Sequence, residues 1–118
     1  MVVLFVWEEK KMMNFNEGVA SRYGIREAVI AQHLWELGED AEFADAVYKD
    51  SKLWVRASAT AIKCALPYFS KHQIKDAIMH LRKEHILMKR EMNDSRFDRT
   101  NWYAFSDHGV QLMEEEYA

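Results

Sequence analysis

Apolar residues recur along the chain at two spacings, and the alternation between these spacings predicts the order of helices and strands. Apolar positions three and four residues apart indicate helices, whereas short runs rich in β-branched and aromatic residues indicate strands. The predicted helices cover about 15–22, 25–37, 59–66, 70–84 and 107–117. Residues 48–56 are predicted as a turn that leads into a short strand, and about 86–92 and 101–105 as two further strands.

The ends of these helices are predicted from capping residues. The N-terminal caps are Asn14 or Asn16, Ser58, Ser70 and Asp107, whose side chains can accept from orphan backbone N–H groups. Ser70 followed three residues later by Gln73 has the form of a capping box. Gly24 and Gly38 are expected to end the first two helices, since glycine is common just past a helix C-terminus. Pro67 ends the helix at 59–66, because the residue before proline disfavours the helical conformation.

The two helices on either side of Pro67 predict a helix-turn-helix at about 58–85, followed by a β-hairpin wing at about 86–106. One face of the second helix is apolar and is expected to pack inward: Ile74, Ala77, Ile78 and Leu81. The outward face then carries Lys71, His72, Lys75, Asp76, Met79 and Arg82. We therefore expect a winged helix-turn-helix, an α+β fold that is mainly α, with a short N-terminal strand or arm and a C-terminal helix.

Composition and charge narrow this picture to one domain with a local basic region. A chain of 118 residues, 49% of them apolar, is expected to form a single domain over 1–118. The net charge is −3, yet residues 70–102 hold 8 basic and 5 acidic side chains. Because a local cluster of Lys and Arg suits contact with phosphates, duplex DNA is the expected partner.

The expected DNA contacts follow from the outward face of the second helix and from the arginines of the wing. They are Lys71, His72, Lys75, Met79 and Arg82 on the helix, with Arg90, Arg96 and Arg99 on the wing. Asp76, Asp94 and Asp98 would repel phosphates within this region. An ion pair between Asp98 and Arg99 would make the wing more rigid and leave less charge for DNA.

Several residues with reactive or stacking side chains are expected to have structural roles. Cys64, the only cysteine, lies in a helical pattern and is expected to be an inert core thiol in a reducing compartment. His80 and Glu84 are a possible pair of ligands four residues apart, but one such pair is not enough to predict a metal site. Trp102 and Tyr103 can stack on bases, but their adjacent strand positions favour packing in the core.

No catalytic centre or cofactor site is expected. The sequence has no phosphate-cradling glycine-rich loop, no nucleophile elbow and no convincing pair of carboxylates, so we expect neither an enzyme nor a bound cofactor or metal. Residues 2–7 (VVLFVW) are too short to cross a bilayer and lack a basic leader. We therefore expect a cytoplasmic protein without membrane contact, in which this run packs on the domain or on a second copy in a homodimer.

Six short stretches, taken in order, carry a resemblance to a known family. They are residues 24–30 (GIREAVI), 34–35 (LW), 54–55 (WV), 66–70 (LPYFS), 74–87 (IKDAIMHLRKEHIL) and 93–103 (NDSRFDRTNWY). Over about residues 18–106 the chain resembles the N-terminal winged-helix domain of phage and plasmid replication initiators, also called replisome organisers. The resemblance implies a domain that binds origin DNA and helps to assemble a replisome. By the resemblance, the DNA contacts are Lys71, His72, Lys75, Arg96 and Arg99.

The chain departs from this family in two respects. His85 stands where the family often has glycine, and a left-handed backbone there costs something of the order of 1 kcal/mol for a residue other than glycine. Such initiators usually continue into a C-terminal region that engages a helicase or its loader. A fragment of a longer initiator and a free-standing relative that regulates transcription or replication are therefore both open.

A winged-helix module that binds a protein is the alternative function. The acidic residues between 39 and 45, the apolar run at 2–7 and the isoelectric point of about 5.9 suit a phage factor that blocks or recruits a host or replication protein. The two functions differ in whether the basic surface from Lys71 to Arg99 is continuous and open in three dimensions.

Overall fold

A computed structural model describes residues 15–39, 46–93 and 95–115, which form five helices and four strands. The helices are α1 (Glu17–Tyr23), α2 (Ile25–Glu39), α3 (Ala59–Ala65), α4 (Lys71–Lys83) and α5 (Asp107–Glu114). The strands are β1 (Ala46–Lys49), β2 (Lys52–Arg56), β3 (Leu87–Arg90) and β4 (Trp102–Phe105). This part of the chain has an α+β fold that is mainly helical, as predicted. The apolar run at 2–7 and residues 40–45 of the acidic stretch lie outside the described residues.

The four described strands form one antiparallel sheet in the order β1-β2-β4-β3. Strand β1 was not predicted as a strand, because it is only four residues long and three of them are exposed. Asp50 and Ser51 join β1 to β2, and both have positive φ angles, of 54° and 64°. Two positive φ angles in a two-residue loop match the twist of the flanking strands, which explains the tight hairpin.

Successive residues of the strands contribute to two different apolar clusters. Val55 and Tyr103 belong to the main core between the sheet and the helices. Trp54 and Trp102 belong to a smaller cluster with Ala104, beside the partly buried Met88 and Met92. This alternation follows from the period of two in a β-strand. The expectation that Trp102 and Tyr103 have core roles is confirmed, since both are buried.

Helix α4 buries the four apolar residues that the sequence pattern selected: Ile74, Ala77, Ile78 and Leu81. They pack in the main core with residues of α2, including Ile30 and Leu34. Ile25, the first residue of α2, is 64% exposed. The core therefore fixes which side of α4 faces solvent, and this sets up the candidate site.

Most of the predicted helix caps are present. Asn16 caps α1 by accepting from the Val19 N–H at 2.9 Å, and the Ser58 side chain caps α3. The capping box of α4 is complete in both directions between Ser70 and Gln73. The prediction for the last helix was wrong by one residue. Ser106 accepts from the Gly109 N–H at 2.9 Å, and Asp107 is the first helical residue.

The two predicted glycine stops have different outcomes. Gly24 ends α1 with a φ of 116°, as expected. Gly38 does not end α2, which continues to Glu39. A Cβ atom at Gly38 would lie 3.1 Å from Leu53 Cδ2, so the missing side chain lets α2 approach strand β2 closely.

Helix α4 ends in a Schellman motif with His85 in the left-handed conformation, at a φ of 62°. The Ile86 N–H donates to the Leu81 carbonyl at 2.9 Å, and the His85 N–H donates to the Arg82 carbonyl at 3.0 Å. The position where the resembling family often has glycine therefore does have a positive φ. This turn sends the chain directly from α4 into β3.

Cys64 does not have the buried position that the sequence pattern predicted. It is exposed on α3, where Ile62 is the buried residue. The short helix reaches the core only through Ile62 and Leu66, four residues apart, and this spacing turns Cys64 toward solvent.

Candidate nucleic-acid interface

The outer face of α4 carries all five of the helix residues that were predicted to contact DNA. Lys71, His72, Lys75, Met79 and Arg82 are all exposed. Met79 is 54% exposed, so an apolar side chain lies open among the cations. Since the opposite face of α4 is held in the core, this orientation is fixed by packing.

The part of this face from Lys75 to Arg82 borders a groove of about 320 Å³, which we call the basic groove. Its other walls come from the start of α3, from β3 and β4, and from residues 99–101 of the loop between these strands. The lining residues are Ser58, Ala59, Lys75, Ile78, Met79, Arg82, Lys89, Arg99, Thr100, Asn101 and Tyr103.

All the charged side chains that line the basic groove are positive: Lys75, Arg82, Lys89 and Arg99. Within the described part of the chain, none of the four makes an ion pair or a side-chain hydrogen bond. Four unpaired cations around a concave surface produce a focused positive potential, which attracts phosphate groups. Three of these residues were predicted from the sequence, and Lys89 was missed.

Lys89 and Arg90 lie on opposite faces of β3, because successive strand residues alternate. Lys89 is in register with Tyr103, which lines the basic groove. Arg90 is in register with Trp102 and lies 4.5 Å from the Trp54 ring centroid. Its Nη1 atom donates to Asp50 Oδ2 at 2.8 Å. Arg90, although predicted to contact DNA, is therefore not brought together with the other cations. Strand alternation starting from the buried Leu87 would have selected Lys89.

Asn93 cross-links the described part of the loop between β3 and β4. Its Nδ2 atom donates to the carbonyls of Asp98 and Thr100, both at 2.8 Å. Its Oδ1 atom accepts from the indole N–H of Trp102 at 2.8 Å and from Arg56 Nε at 3.3 Å. These hydrogen bonds tie residues 98–100 of the loop to β2 and β4.

Asp98 pairs with Arg56, which lies on β2, and not with Arg99. The predicted Asp98–Arg99 pair was therefore wrong. The Asp98 carboxylate also accepts from the Thr100 N–H at 3.0 Å. Hydrogen bonds from Thr100 and the charge of Arg56 hold the pKa of Asp98 below its ordinary value. Because Arg56 neutralises this carboxylate, Arg99 has no ion-pair partner among the described residues and lines the basic groove.

Arg96 lies beside Phe97 on the same loop, outside the residues that line the basic groove. Its guanidinium is 5.3 Å from the Phe97 ring centroid. Phe97 is 83% exposed, more than any other large apolar side chain of the described residues.

One carboxylate remains on the outer face of α4. Asp76 Oδ2 lies 3.2 Å from Nε2 of His72, one helical turn away. Asp76 is not among the residues that line the basic groove. It therefore faces His72 and not the four cations, whereas Asp94 lies outside the described residues.

Behind the interface, a buried carboxylate ties α2 to α4. Glu27 accepts from His80 Nδ1 at 2.9 Å and from Arg26 Nη2 at 3.3 Å. Burial alone would raise the pKa of Glu27, but the hydrogen bonds from His80, the backbone and Arg26 outweigh it and lower the pKa. His80 thus pairs across helices and not with Glu84. No group of three or more His, Cys, Asp or Glu residues that could hold a metal ion occurs in the described residues.

A second and more apolar groove, of about 480 Å³, lies between α2, the sheet and α5. Its apolar lining includes Leu34, Trp35, Leu53 and Phe105. At its rim, Lys52 forms an ion pair with Asp107. We call this the apolar groove; its lining is poor in unpaired charge and differs in chemistry from the basic groove.

Comparison of the chain with protein-family models, with curated protein sequences and with solved structures gives no match. Within the described ranges, no helix is long and apolar enough to cross a membrane. The function is therefore inferred from the geometry and charge of the grooves together with the sequence patterns.

Proposed function

We propose that the protein is a winged-helix DNA-binding protein, with α4 as the recognition helix and the β3–β4 hairpin as the wing. The observation that carries the proposal is the set of four cations, Lys75, Arg82, Lys89 and Arg99, around one groove between α4 and the hairpin, with no ion-pair partner among the described residues. A duplex offers phosphates at regular intervals, and neutralising several of them releases counterions and drives binding.

The geometry of α4 supports different DNA contacts at the two ends of the helix. An α-helix fits the major groove of B-form DNA, and the N-terminal residues of a recognition helix approach the base edges. Lys71, His72 and Lys75 occupy the first turns of α4, whereas Arg82 lies near its end beside the hairpin. We therefore assign base contacts to Lys71 and His72 and phosphate contacts to the basic groove, with Lys75 lying where the two surfaces meet.

The resemblance to phage and plasmid replication initiators supports a role in binding origin DNA in the cytoplasm, and a transcriptional regulator would use the same module. The proposal needs no catalytic residue and no cofactor. A homodimer would place two such helices on successive turns of one duplex.

Salt-dependent binding to a generic labelled duplex tests this proposal by fluorescence anisotropy at 50 and 200 mM salt. If about four phosphates are neutralised, the rise in salt weakens binding roughly 100-fold. The double variant Lys75→Gln/Arg99→Gln removes two of these charges, and its binding falls only about tenfold over the same range. Its affinity at 50 mM is also lower than that of the wild type.

The matched control is Arg22→Gln/Lys49→Gln, which removes the same charge from exposed residues of α1 and β1 outside the basic groove. It should keep the wild-type affinity and salt dependence. Absence of binding at 50 mM, in a protein that sedimentation shows to be monomeric, would rule out the DNA-binding proposal.

The second candidate function is a protein-interaction module, and the apolar groove favours it. Exposed side chains of the β1–β2 hairpin, Tyr48 and Leu53, stand at this groove, and apolar surface of this kind is typical of protein contacts. If the chain does not bind DNA, a host or replication protein seated on this groove becomes the favoured partner.

A further inference from the structure

Phe97 is an apolar ring held out in solvent by an ordered turn. The Asp98 N–H donates to the Ser95 carbonyl at 3.1 Å, and the Phe97 N–H donates to Ser95 Oγ at 3.1 Å. Asn93 and Arg56 hold the C-terminal end of this turn through their bonds to Asp98. Phe97 belongs to neither apolar cluster of the described residues, so its ring is available for contact with a partner.

The surroundings of the ring point to a nucleic acid. Arg96 lies over the Phe97 ring, 5.3 Å from its centroid. Arg99 of the basic groove is two residues further along the chain, so the two Cα atoms of Phe97 and Arg99 are at most about 7 Å apart. Both arginines can hold phosphates on either side of a base. Aromatic rings flanked by cations stack on unpaired bases, and apolar side chains inserted between base steps unstack and kink a duplex.

We propose that Phe97 is a stacking site for a nucleobase that has left the regular duplex stack, so that the wing tip binds distorted DNA in preference to uniform duplex. This inference rests on the proposed function and deepens it. The phosphates are held by the basic groove and Arg96, whereas the ring supplies a contact that depends on an accessible base face and not on charge.

The test compares two labelled duplexes that differ only in a central two-nucleotide bulge, by anisotropy at 50 mM salt. Wild-type protein binds the bulged duplex about tenfold more tightly, since stacking on one base contributes on this scale. Phe97→Ala loses this preference but keeps the salt dependence and the affinity for the regular duplex. Phe97→Trp, which retains a stacking ring, keeps the preference.

Tyr48→Ala is the matched control, because Tyr48 is an aromatic residue 74% exposed at the apolar groove. It should bind both duplexes as the wild type does. Three results would overturn the stacking site while leaving the DNA-binding proposal intact. They are equal binding of the two duplexes by the wild type, a Phe97→Ala variant that keeps the preference for the bulged duplex, and a Phe97→Ala variant that loses the same affinity for both duplexes. Failure of the wild type to bind either duplex would instead overturn the proposed function itself, and Phe97 would then be a candidate contact for a protein partner.

Discussion

Two neighbouring residues of β3 have opposite environments although their side chains carry the same charge. Lys89 lines the basic groove without an ion-pair partner among the described residues. Arg90 packs over Trp54 and pairs with Asp50 on the other face. A basic residue of a strand can therefore contribute to phosphate binding only if its side chain lies on the face of the basic groove. For this reason, the number of basic residues in the sequence overestimates the positive charge that is available to bind phosphates.

At this scale we predict that Lys89→Gln and Arg90→Gln have different effects. Loss of Lys89 removes one phosphate contact, so the slope of log affinity against log salt becomes shallower by about 0.9. Loss of Arg90 leaves that slope unchanged but lowers the free energy of unfolding by about 0.5–1 kcal/mol, since a cation–π contact and an exposed ion pair disappear. Anisotropy across a salt series and urea unfolding measure the two quantities. Equal flattening of the slope by both variants would contradict the assignment of faces.

Among the elements, α4 was the most completely predicted and β1 the least. The capping box and the spacing of four apolar residues determine α4 locally, and both are visible in the sequence. Strand β1 has neither a clear alternation nor a buried face, and it exists because β2 pairs with it. The end of α4 is a local feature as well, since its Schellman motif needs a left-handed residue at position 85.

At the scale of this element, His85→Gly is expected to raise the free energy of unfolding by about 0.5–1 kcal/mol. Glycine removes the Cβ strain of a positive φ, and this gain exceeds its larger entropy loss on folding. Glu84→Gly is the control, because Glu84 has a φ of −86° and gains nothing from glycine. We expect it to destabilise by about 0.5–1 kcal/mol in the same urea titration. A His85→Gly variant less stable than the wild type would show that the histidine ring contributes a contact of its own.

The candidate site was predicted from the sequence only in part. Some of its residues follow from a local pattern, whereas others depend on contacts between distant parts of the chain. The helix positions of the site follow from the apolar face of α4, which identifies Lys75 and Arg82 as outward residues. Arg99 is free because Arg56, 42 positions from Asp98, neutralises the neighbouring carboxylate. No pattern within the sequence of the loop reveals that pairing, and so the Asp98–Arg99 pair was predicted in its place.

At the scale of the whole molecule, a side chain near the start of the described chain is hydrogen-bonded to the backbone of its last helix. Asn16 caps α1 and also donates through Nδ2 to the Leu112 carbonyl of α5 at 3.0 Å, a contact between residues 96 positions apart. Asn16 is buried, so neither bond can be replaced readily by water. The local cap and the long-range tie therefore act through the same residue.

For the whole molecule we predict that Asn16→Ala lowers the free energy of unfolding by about 2 kcal/mol, measured by urea unfolding. The loss combines a helix cap with a buried hydrogen bond, each contributing about 1 kcal/mol. Ser58→Ala removes only a local cap, from α3, and should cost about 1 kcal/mol. If the two variants are equally destabilised, the tie between α1 and α5 contributes nothing to stability.

The sequence by itself determined the helices, most of their caps and the outward face of α4, because these depend on residues within one or two turns of each other. The tertiary structure decided which cations share a groove, which carboxylates are neutralised and which positions near the surface stay exposed. Arg90 and Gly38 were placed by partners distant in sequence, Trp54 and Leu53. Local hydrogen bonds and periodicity act over a few residues, whereas the charge and shape of the basic groove arise only when α4 packs beside the sheet.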